Sequence, residues 1–346
     1  MKKTKSFILI ITTAILFYNC ESNTEDLTTD PIGEPQEDSE LNRNLSFEEV
    51  YAFEDDLLGG PYIGMTYSSN DNNLFISSRE NAPAGSTTEE EVFKLSLDSY
   101  QLMRKNVSPG GFITKQLTTI NDTLVSIGGT EFKFYDTSFE YAGEKSYGNN
   151  FTLSKFGIAT HNNDTYILGG YRVDGPSREN KKIRKLRGNI TGNQFEEFIN
   201  TTETMIGASG AIVNERLHVF GGALYEDFEA TNKIFIYPLN NPQSYEEFSM
   251  TVKADVTFVH KYGEMILVAG HKGLYGTDKT SFVGLFDTTT NTFEEIKTNL
   301  DSESGTKAIH QMIVKEDKII VLFGHKASSQ LPMSKWSILS ADLLKD

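Results

Sequence analysis

Cationic and aromatic residues recur at one kind of position in the sequence, directly after an apolar run that ends in small residues. This position holds Arg79-Glu80, Tyr171-Arg172, Tyr225, His271-Lys272 with Tyr275, and His325-Lys326. Guanidinium and ammonium groups pair with carboxylate or sulfate, and tyrosine rings stack on sugar faces. The set predicts a site for an anionic or ring-stacking ligand, such as a sugar acid or an acidic glycan. The alternative is that exposed loops carry Arg, Lys and Tyr without forming a site.

Other kinds of chemistry find less support in the sequence. It contains no GxSxG, HExxH or Walker motif and no pair of cysteines. His271 and His325, together with His310, would be the residues of a metal site, but no carboxylate accompanies them, so we predict neither a metal nor a cofactor. Arg79, Glu80 or Arg172 would serve in an enzyme, although no matched acid and base stand out.

The charge balance argues against nucleic acid as a partner. The chain has 32 bases and 48 acids; residues 1–20 hold three of the bases, and residues 21–44 hold one base and eight acids. The remaining 28 bases and 40 acids give residues 45–346 a net charge of −12, whereas neutralising a phosphate backbone needs a strongly positive face. A basic run, Lys181 to Arg187, is interpreted as a solvated outer strand face.

The N-terminus has the pattern of an export signal. Lys2, Lys3 and Lys5 precede an apolar run from Phe7 to Tyr18, which is too short for a stable membrane span but suits a secretory signal. Cys20, the only cysteine, follows this run where a lipoprotein signal places the thiol that receives lipid. We therefore predict a signal peptide over residues 1–19 and lipidation at Cys20, the alternative being a free cysteine in an ordinary signal peptide.

An acidic segment follows the cysteine. Its eight acids against one base cannot bury a core, which predicts that residues 20–44 are a lipidated, disordered tether. Acidic residues at this point resemble the surface-export signal of some Gram-negative lipoproteins. The predicted location is the outer membrane, lipid-anchored and facing the exterior, with the periplasmic face as the alternative.

The rest of the chain, residues 45–346, consists of repeats. An apolar run ending in a glycine pair appears at Leu124–Gly129, Tyr166–Gly170 and Leu217–Gly222, and in weaker form at Leu74–Ser78, Met265–Gly270 and Ile319–Gly324. Their last residues are 51, 41, 52, 48 and 54 positions apart. Six copies of about fifty residues predict a repeat architecture rather than two ordinary domains.

Each copy has the same internal order. A first β run ends in a turn signal such as Asn214-Glu215 or Gly263-Glu264, which predicts a tight hairpin to the apolar run. A third run and a short outer strand with a Phe-Glu-Glu pattern, as in Phe293–Ile296, complete the copy. No segment shows sustained helical periodicity.

These repeats resemble kelch repeats, best seen in Gly221-Gly222 and in the segment Phe286–Phe293. The resemblance implies an all-β, six-bladed kelch-type β-propeller over residues 45–346, with the loops that follow each second strand opening on one face. Ser77-Ser78 replaces the glycine pair in the first copy, and Phe or Tyr replaces the expected outer-strand tryptophan. Some kelch propellers are copper-radical oxidases, but their tyrosine–cysteine cross-link has no counterpart in a chain whose one cysteine is Cys20.

The two ends of the repeat region complement each other. The last copy stops before a fourth strand, while Ser46–Val50 repeats the outer-strand pattern. We therefore predict that residues 46–53 complete the last blade, which removes an exposed sheet edge.

Three function classes are compatible with these features. A surface module that binds a glycan or small anion is favoured by the anchor, the tether and the loop composition. The second class is a sugar-acid isomerase or another carbohydrate-active enzyme, since some exported kelch propellers isomerise sialic acids. The third is a scaffold that binds a protein partner in the envelope, which fold analogy supports equally.

Overall fold

The computed structural model describes residues 40–54, 64–68, 72–79, 89–109, 116–120, 123–128, 131–136, 139–146, 153–162, 164–172, 180–186, 196–272, 280–300, 307–325 and 335–345. These residues form strands and turns and contain no α-helix. All of them except Glu40 belong to a compact unit that spans Leu41–Asp346. The all-β class predicted from the sequence is confirmed.

Most strands are arranged as antiparallel meanders of four, which we number 1 to 6 along the chain. Meander 1 consists of β3 (Gly64–Ser68), β4 (Asn73–Arg79), β5 (Glu89–Ser96) and β6 (Leu102–Pro109). Meander 2 consists of β7 (Gln116–Ile120), β8 (Thr123–Ile127), β9 (Glu131–Tyr135) and β10 (Tyr141–Ser146). Meander 3 consists of β12 (Gly157–His161), β13 (Asp164–Leu168), β15 (Lys182–Leu186) and β16 (Glu196–Asn200).

Meanders 4 and 5 share one continuous strand, β20 (Glu246–Tyr262), and so form an eight-stranded sheet together with the added strand β1 (Asn44–Leu45). Meander 4 begins with β17 (Ser209–Val213), β18 (Arg216–Phe220) and β19 (Thr231–Pro238). Meander 5 ends with β21 (Met265–Lys272), β22 (Thr280–Asp287) and β23 (Thr292–Thr298). Meander 6 contains β24 (Lys307–Lys315), β25 (Lys318–His325), β26 (Lys335–Asp342) and β2 (Glu48–Glu54). A small separate sheet pairs β11 (Leu153–Ser154) with β14 (Tyr171–Arg172).

The hairpin between the first and second strand of a meander forms where the turn signals predict it. Asn214 and Glu215 have φ values of 50° and 55°, which is the geometry of a two-residue turn that matches strand twist. Gly263 and Glu316 have positive φ at the corresponding turns of meanders 5 and 6.

The glycine pair marks where the second strand ends. In meanders 3 and 4 the pairs Gly169-Gly170 and Gly221-Gly222 have positive φ, and β13 and β18 stop just before them. In meanders 5 and 6 the pair is reduced to one glycine, and β21 and β25 run on through it to Lys272 and His325. The residues that come after this motif therefore occupy different places in different meanders.

Both faces of a meander are buried against its neighbours, because successive side chains on a strand point to opposite sides. On β4, Leu74 and Ile76 belong to a core cluster shared with meander 6, whereas Phe75 belongs to one shared with meander 2. Similar clusters join meanders 2 and 3, 3 and 4, 4 and 5, and 5 and 6. This two-sided burial explains why the second strands are continuous apolar runs.

The first strands of all six meanders line one central cavity of about 330 Å³. Its walls include Tyr67, Gln116, His161, Ala211, His260 and Gln311, one residue from each first strand. The six meanders thus surround a common space.

The N-terminal part of the compact unit bridges two meanders. β1 pairs in parallel with β23, and β2 pairs antiparallel with β26 in the register Glu48↔Ser340. The predicted pairing of residues 46–53 with the last C-terminal strand is confirmed. Residues 41–44, assigned to the tether from their composition, instead belong to the folded unit: Leu41 bridges to Leu344 and Arg43 forms an ion pair with Glu294 at 3.3 Å.

Candidate functional site

Three aromatic residues from meanders 3 and 4 gather beyond the ends of their second strands. The rings of Tyr171 and Tyr225 lie 6.5 Å apart at 36°, and Tyr225 lies 6.0 Å from Phe228. Tyr171 is held in β14, whereas Tyr225 and Phe228 lie in the loop between β18 and β19. All three rings are half-buried. We call these residues, with Lys155 and Arg172, the loop-face cluster.

Lys155 supplies a positive charge inside the cluster. Its Nζ lies 6.0 Å from the ring centres of both Tyr171 and Phe228, within cation–π range. The side chain is 6% exposed, and its backbone carbonyl accepts a hydrogen bond of 2.7 Å from the N–H of Gly207. Sequence reasoning missed Lys155 and Phe228; the signal for Lys155 is its place in the chain segment that enters the first strand of meander 3.

A second positive charge comes from Arg172, next to Tyr171 in β14. Burial lowers the pKa of the nearby Arg184 to about 10, the charge of Arg172 lowers it further and Glu197 opposes both. The positive charge of Arg172 is therefore close enough to Arg184 to affect its protonation. Arg184 also donates to Asn180 Oδ1 at 3.2 Å.

Acidic residues flank the cluster as well. Glu226, Asp227 and Glu229 lie exposed in the same loop as Tyr225 and Phe228. Glu229 is paired with Lys253 at 2.7 Å. The negative charges of Glu226 and Asp227 therefore oppose anion binding, and neutralising them tests it.

Two of the predicted site residues in meander 5 lie within its second strand rather than in the loop after it. His271 and Lys272 continue β21, because meander 5 lacks the glycine pair that would end it. His271 is 7% exposed and its Nε2 contacts the carbonyl of Ile309. Lys272 forms an ion pair with Glu295 of β23. These contacts hold both residues in meanders 5 and 6, whereas the loop-face cluster is formed by residues of meanders 3 and 4.

The remaining predicted residues cannot be placed in the site. Glu80, Tyr275 and Lys326 lie outside the described residues, and only the backbones of Arg79 and His325 are described, each as the last residue of its strand, β4 and β25. Cys20 also lies outside the described residues. Tyr171 and Tyr225 are the predicted residues whose side chains the structure brings together, and Arg172 follows Tyr171 in β14.

The basic run of meander 3 forms a strand with paired cations. In β15, Lys182 lies 2.5 Å from Glu197, and Lys185 lies 2.5 Å from Asp164. Ile183 is buried between these lysines. One face of this strand is therefore partly solvated and the other is packed. Because Lys182 is already paired, its substitution is a control for charge removal from the loop-face cluster.

The central cavity carries a second group of polar residues. His260 and Tyr67 approach with ring centres 6.2 Å apart, and the Nδ1 of His260 lies 2.9 Å from the carbonyl of Lys261. A carbonyl only accepts, so Nδ1 carries the proton and Nε2 is the basic nitrogen. His260 is partly buried in the cavity wall, and this burial lowers its pKa below the ordinary value. Burial, with a smaller contribution from Glu316, raises the pKa of Tyr67.

Metal-binding groups and membrane-spanning helices are both absent from the part of the chain that the structure describes. This part contains no group of three or more His, Cys, Asp or Glu residues arranged to hold a metal ion. It also contains no helix of the length and apolar character needed to cross a membrane.

The comparison with solved structures supports the fold. Among solved structures, 540 chains match, including one titled "Structure of YjhT", with a TM-score of 0.54 over 67% of this chain and 83% of that chain. The fold is β-propeller-like. At 11% sequence identity the likeness to YjhT concerns the propeller-like fold alone. No family model and no curated protein matches the sequence.

Proposed function

We propose that this protein is a six-bladed, kelch-type propeller that binds an acidic glycan or sugar acid at its loop-face cluster. The observation that carries the proposal is the gathering of Lys155 with the rings of Tyr171 and Tyr225. Arg172 follows Tyr171 directly in β14. Cations pair with a carboxylate, and the rings offer stacking surfaces for a sugar. The six meanders around one cavity and the pairing of β2 with β26 support the propeller with a closed last blade.

Calorimetric titration of the full-length protein with glucuronate and with oligogalacturonate tests the site. Charge-assisted contacts are worth roughly 1 to 3 kcal/mol, so Arg172→Met and Lys155→Met should each weaken binding about five- to a hundredfold. Methionine keeps most of the aliphatic stem while removing the charge. Conversely, Glu226→Gln with Asp227→Asn should strengthen binding, because these acids oppose the ligand.

The matched control is Lys182→Met, which removes a charge from the same meander but from an ion pair with Glu197. Equal loss of binding in Arg172→Met and Lys182→Met would indicate non-specific electrostatic attraction of the ligand rather than a binding site. Unchanged binding in all the charge variants would show that charge pairing does not hold the ligand, and stacking on Tyr171 and Tyr225 would then be tested by substituting these residues.

The cellular location of the protein is proposed from its N-terminal sequence. Lys2, Lys3, Lys5 and the apolar run before Cys20 support export and lipid attachment, and the acidic segment after it supports display at the outer surface of the outer membrane. Cys20→Ala should move the protein from membrane to soluble fractions without lowering its melting temperature. Retention of this variant in membranes would contradict lipid anchoring at Cys20.

A second function, removal of a proton from a sugar acid's anomeric hydroxyl, is favoured by His260 and Tyr67 in the central cavity. His260 is held neutral by burial with Nε2 as its basic nitrogen, as a general base requires. His260→Gln should abolish any acceleration of sugar-acid anomer exchange measured by NMR. Absence of acceleration by the wild-type protein would rule this function out.

A further inference from the structure

A groove of about 600 Å³ lies between meander 6 and meander 1, away from the residues of the loop-face cluster. We call it the seam groove. One wall belongs to meander 6 and includes Glu48, Ile320 and Ser340; the other belongs to meander 1 and includes Asn72, Asp98 and Tyr100. Its volume falls within the range of small-molecule sites, about 300 to 1,000 Å³.

Strand register explains why the meander 6 wall is polar. Ser340 of β26 pairs with Glu48 of β2 on one side and with Ile320 of β25 on the other. Directly paired residues point to the same face of a sheet, so these side chains form one row across three strands. On the same face, the next row lies closer to the hairpin between β24 and β25. It pairs Lys318 with Asp342, whose side chains form an ion pair at 2.8 Å.

Two oxygens of the groove are buried without a hydrogen-bond partner among the described residues: Oγ of Ser340 and Oδ1 of Asn72. Ser340 is 8% exposed, and leaving a buried hydroxyl unpaired is costly. Asn72 uses its Nδ2 to donate to Asp98 and so keeps Oδ1 as an acceptor. A ligand that both donates and accepts hydrogen bonds would satisfy the two oxygens together.

The charges of the groove select among ligands. Four carboxylates, Glu48, Asp98, Glu316 and Asp342, face two lysines, Lys315 and Lys318. This balance disfavours an anion. A bare metal ion is disfavoured because no three carboxylates or histidines of the described residues converge. Hydroxyl groups can donate to carboxylates and exchange hydrogen bonds with Ser340, and the ring of Tyr100 adds a flat apolar surface.

We infer that the seam groove binds a neutral saccharide of about two sugar units. The inference goes beyond the proposed function, because its residues, its ligand charge and its place in the fold differ from those of the loop-face cluster. A ligand here would contact meander 1, meander 6 and the N-terminal strand β2 together. Binding should therefore also raise the melting temperature, since it links the first and last meanders of the folded chain.

The test titrates maltose, cellobiose and lactose into the full-length protein and follows heat and melting temperature. At least one disaccharide should bind saturably and stabilise the protein. Ser340→Ala should weaken binding roughly two- to tenfold, the effect of one neutral hydrogen bond. Without ligand, Ser340→Ala should melt no lower than the wild-type protein, because it removes an unpaired buried hydroxyl.

Ser337→Ala is the matched control. Ser337 lies on the same strand and is equally buried at 8%, but its hydroxyl donates to Glu49 at 2.6 Å, and Ser337 does not line the groove. This variant should bind the disaccharide as the wild-type protein does and melt at a lower temperature. Failure of every disaccharide to bind, or equal affinity of Ser340→Ala and wild type, would overturn the inference.

The Arg172→Met variant separates the two sites. It should weaken glucuronate binding and leave disaccharide affinity unchanged, whereas Ser340→Ala should weaken disaccharide binding and leave glucuronate affinity unchanged. Loss of both ligands in Arg172→Met would also overturn the seam site, because a single site would then account for all binding.

Discussion

His218 shows how burial controls a single ionisable residue in this fold. It lies on β18 with 1% of its surface exposed, and its ring centre is 5.8 Å from that of Phe286 in the core between meanders 4 and 5. Its Nδ1 lies 2.9 Å from the carbonyl of Arg216, and its buried Nε2 has no partner among the described residues. Burial lowers the pKa of His218 to about 4, so the imidazole is neutral at pH 7.

This pKa predicts a loss of stability in mild acid. In the unfolded chain the imidazole takes up a proton below about pH 6.5, whereas the folded protein resists protonation until about pH 4. The folded state should therefore lose on the order of 3 kcal/mol as the pH falls from 6.5 to 4. His218→Phe should flatten this part of the curve in urea unfolding at a series of pH values. An identical acid slope in the variant would show that His218 is not the source.

At the scale of the strands, the glycine pair determines where a second strand ends and where the residues after it lie. Gly169 has a φ of 55°, and a Cβ at this position would overlap the carbonyl of Met205 in the approach to meander 4. Because the pair turns the chain, Tyr171 and Arg172 leave meander 3 and join β11. In meander 5 the strand continues, and His271 becomes a buried strand residue.

The pair at the end of β13 should therefore resist substitution more than an ordinary turn glycine. Gly263 offers the matched control, since its φ of 57° is nearly the same but a Cβ there would meet nothing within 4 Å. Gly263→Ala should cost about 1 to 2 kcal/mol of unfolding free energy, the conformational penalty alone. Gly169→Ala should cost clearly more and should shift the fluorescence of the nearby tyrosines. Equal costs for the two variants would mean that the backbone at Met205 moves aside freely.

At the scale of the whole molecule, residues 41–54 connect the N-terminal and C-terminal parts of the compact unit. Asn299 accepts from the N–H of Phe47 at 2.9 Å and donates to its carbonyl at 3.0 Å, so this residue of meander 5 fixes the path between β1 and β2. β2 then covers β26, which would otherwise be an exposed sheet edge. Stability should thus depend on this segment more than its length suggests.

Two truncations test this dependence. Deleting residues 41–54 should lower the melting temperature strongly or abolish cooperative unfolding, because it removes β1 and β2 and exposes β26. Deleting residues 21–40, which precede the compact unit, should leave the melting temperature within a few degrees of the wild type. The two deletions are followed by circular dichroism. Similar melting temperatures would exclude a closing role for the N-terminal strands.

Local signals in the sequence determined the strand pattern. Asn214-Glu215 and Gly263 specify tight hairpins because few residues accept positive φ, and this preference acts within a few residues of chain. The repeated apolar runs predicted the second strands, and the outer-strand pattern at the start of residues 46–53 correctly predicted the pairing with β26. Of the candidate site, the sequence predicted Tyr171, Arg172 and Tyr225, because all three come after a glycine pair.

Only the tertiary structure decided which of the predicted residues meet. His271 and Lys272 stand after an apolar run as Tyr171 and Arg172 do, yet the strand register commits them to Ile309 and Glu295. Lys155 joins the loop-face cluster, and Ser340 the seam groove, through contacts between segments far apart in the chain. The sequence by itself determined the strands, their turns and the likeness among repeats, since these depend on neighbouring residues. The packing of one meander against the next decided the sites, since each site is made of side chains from two meanders.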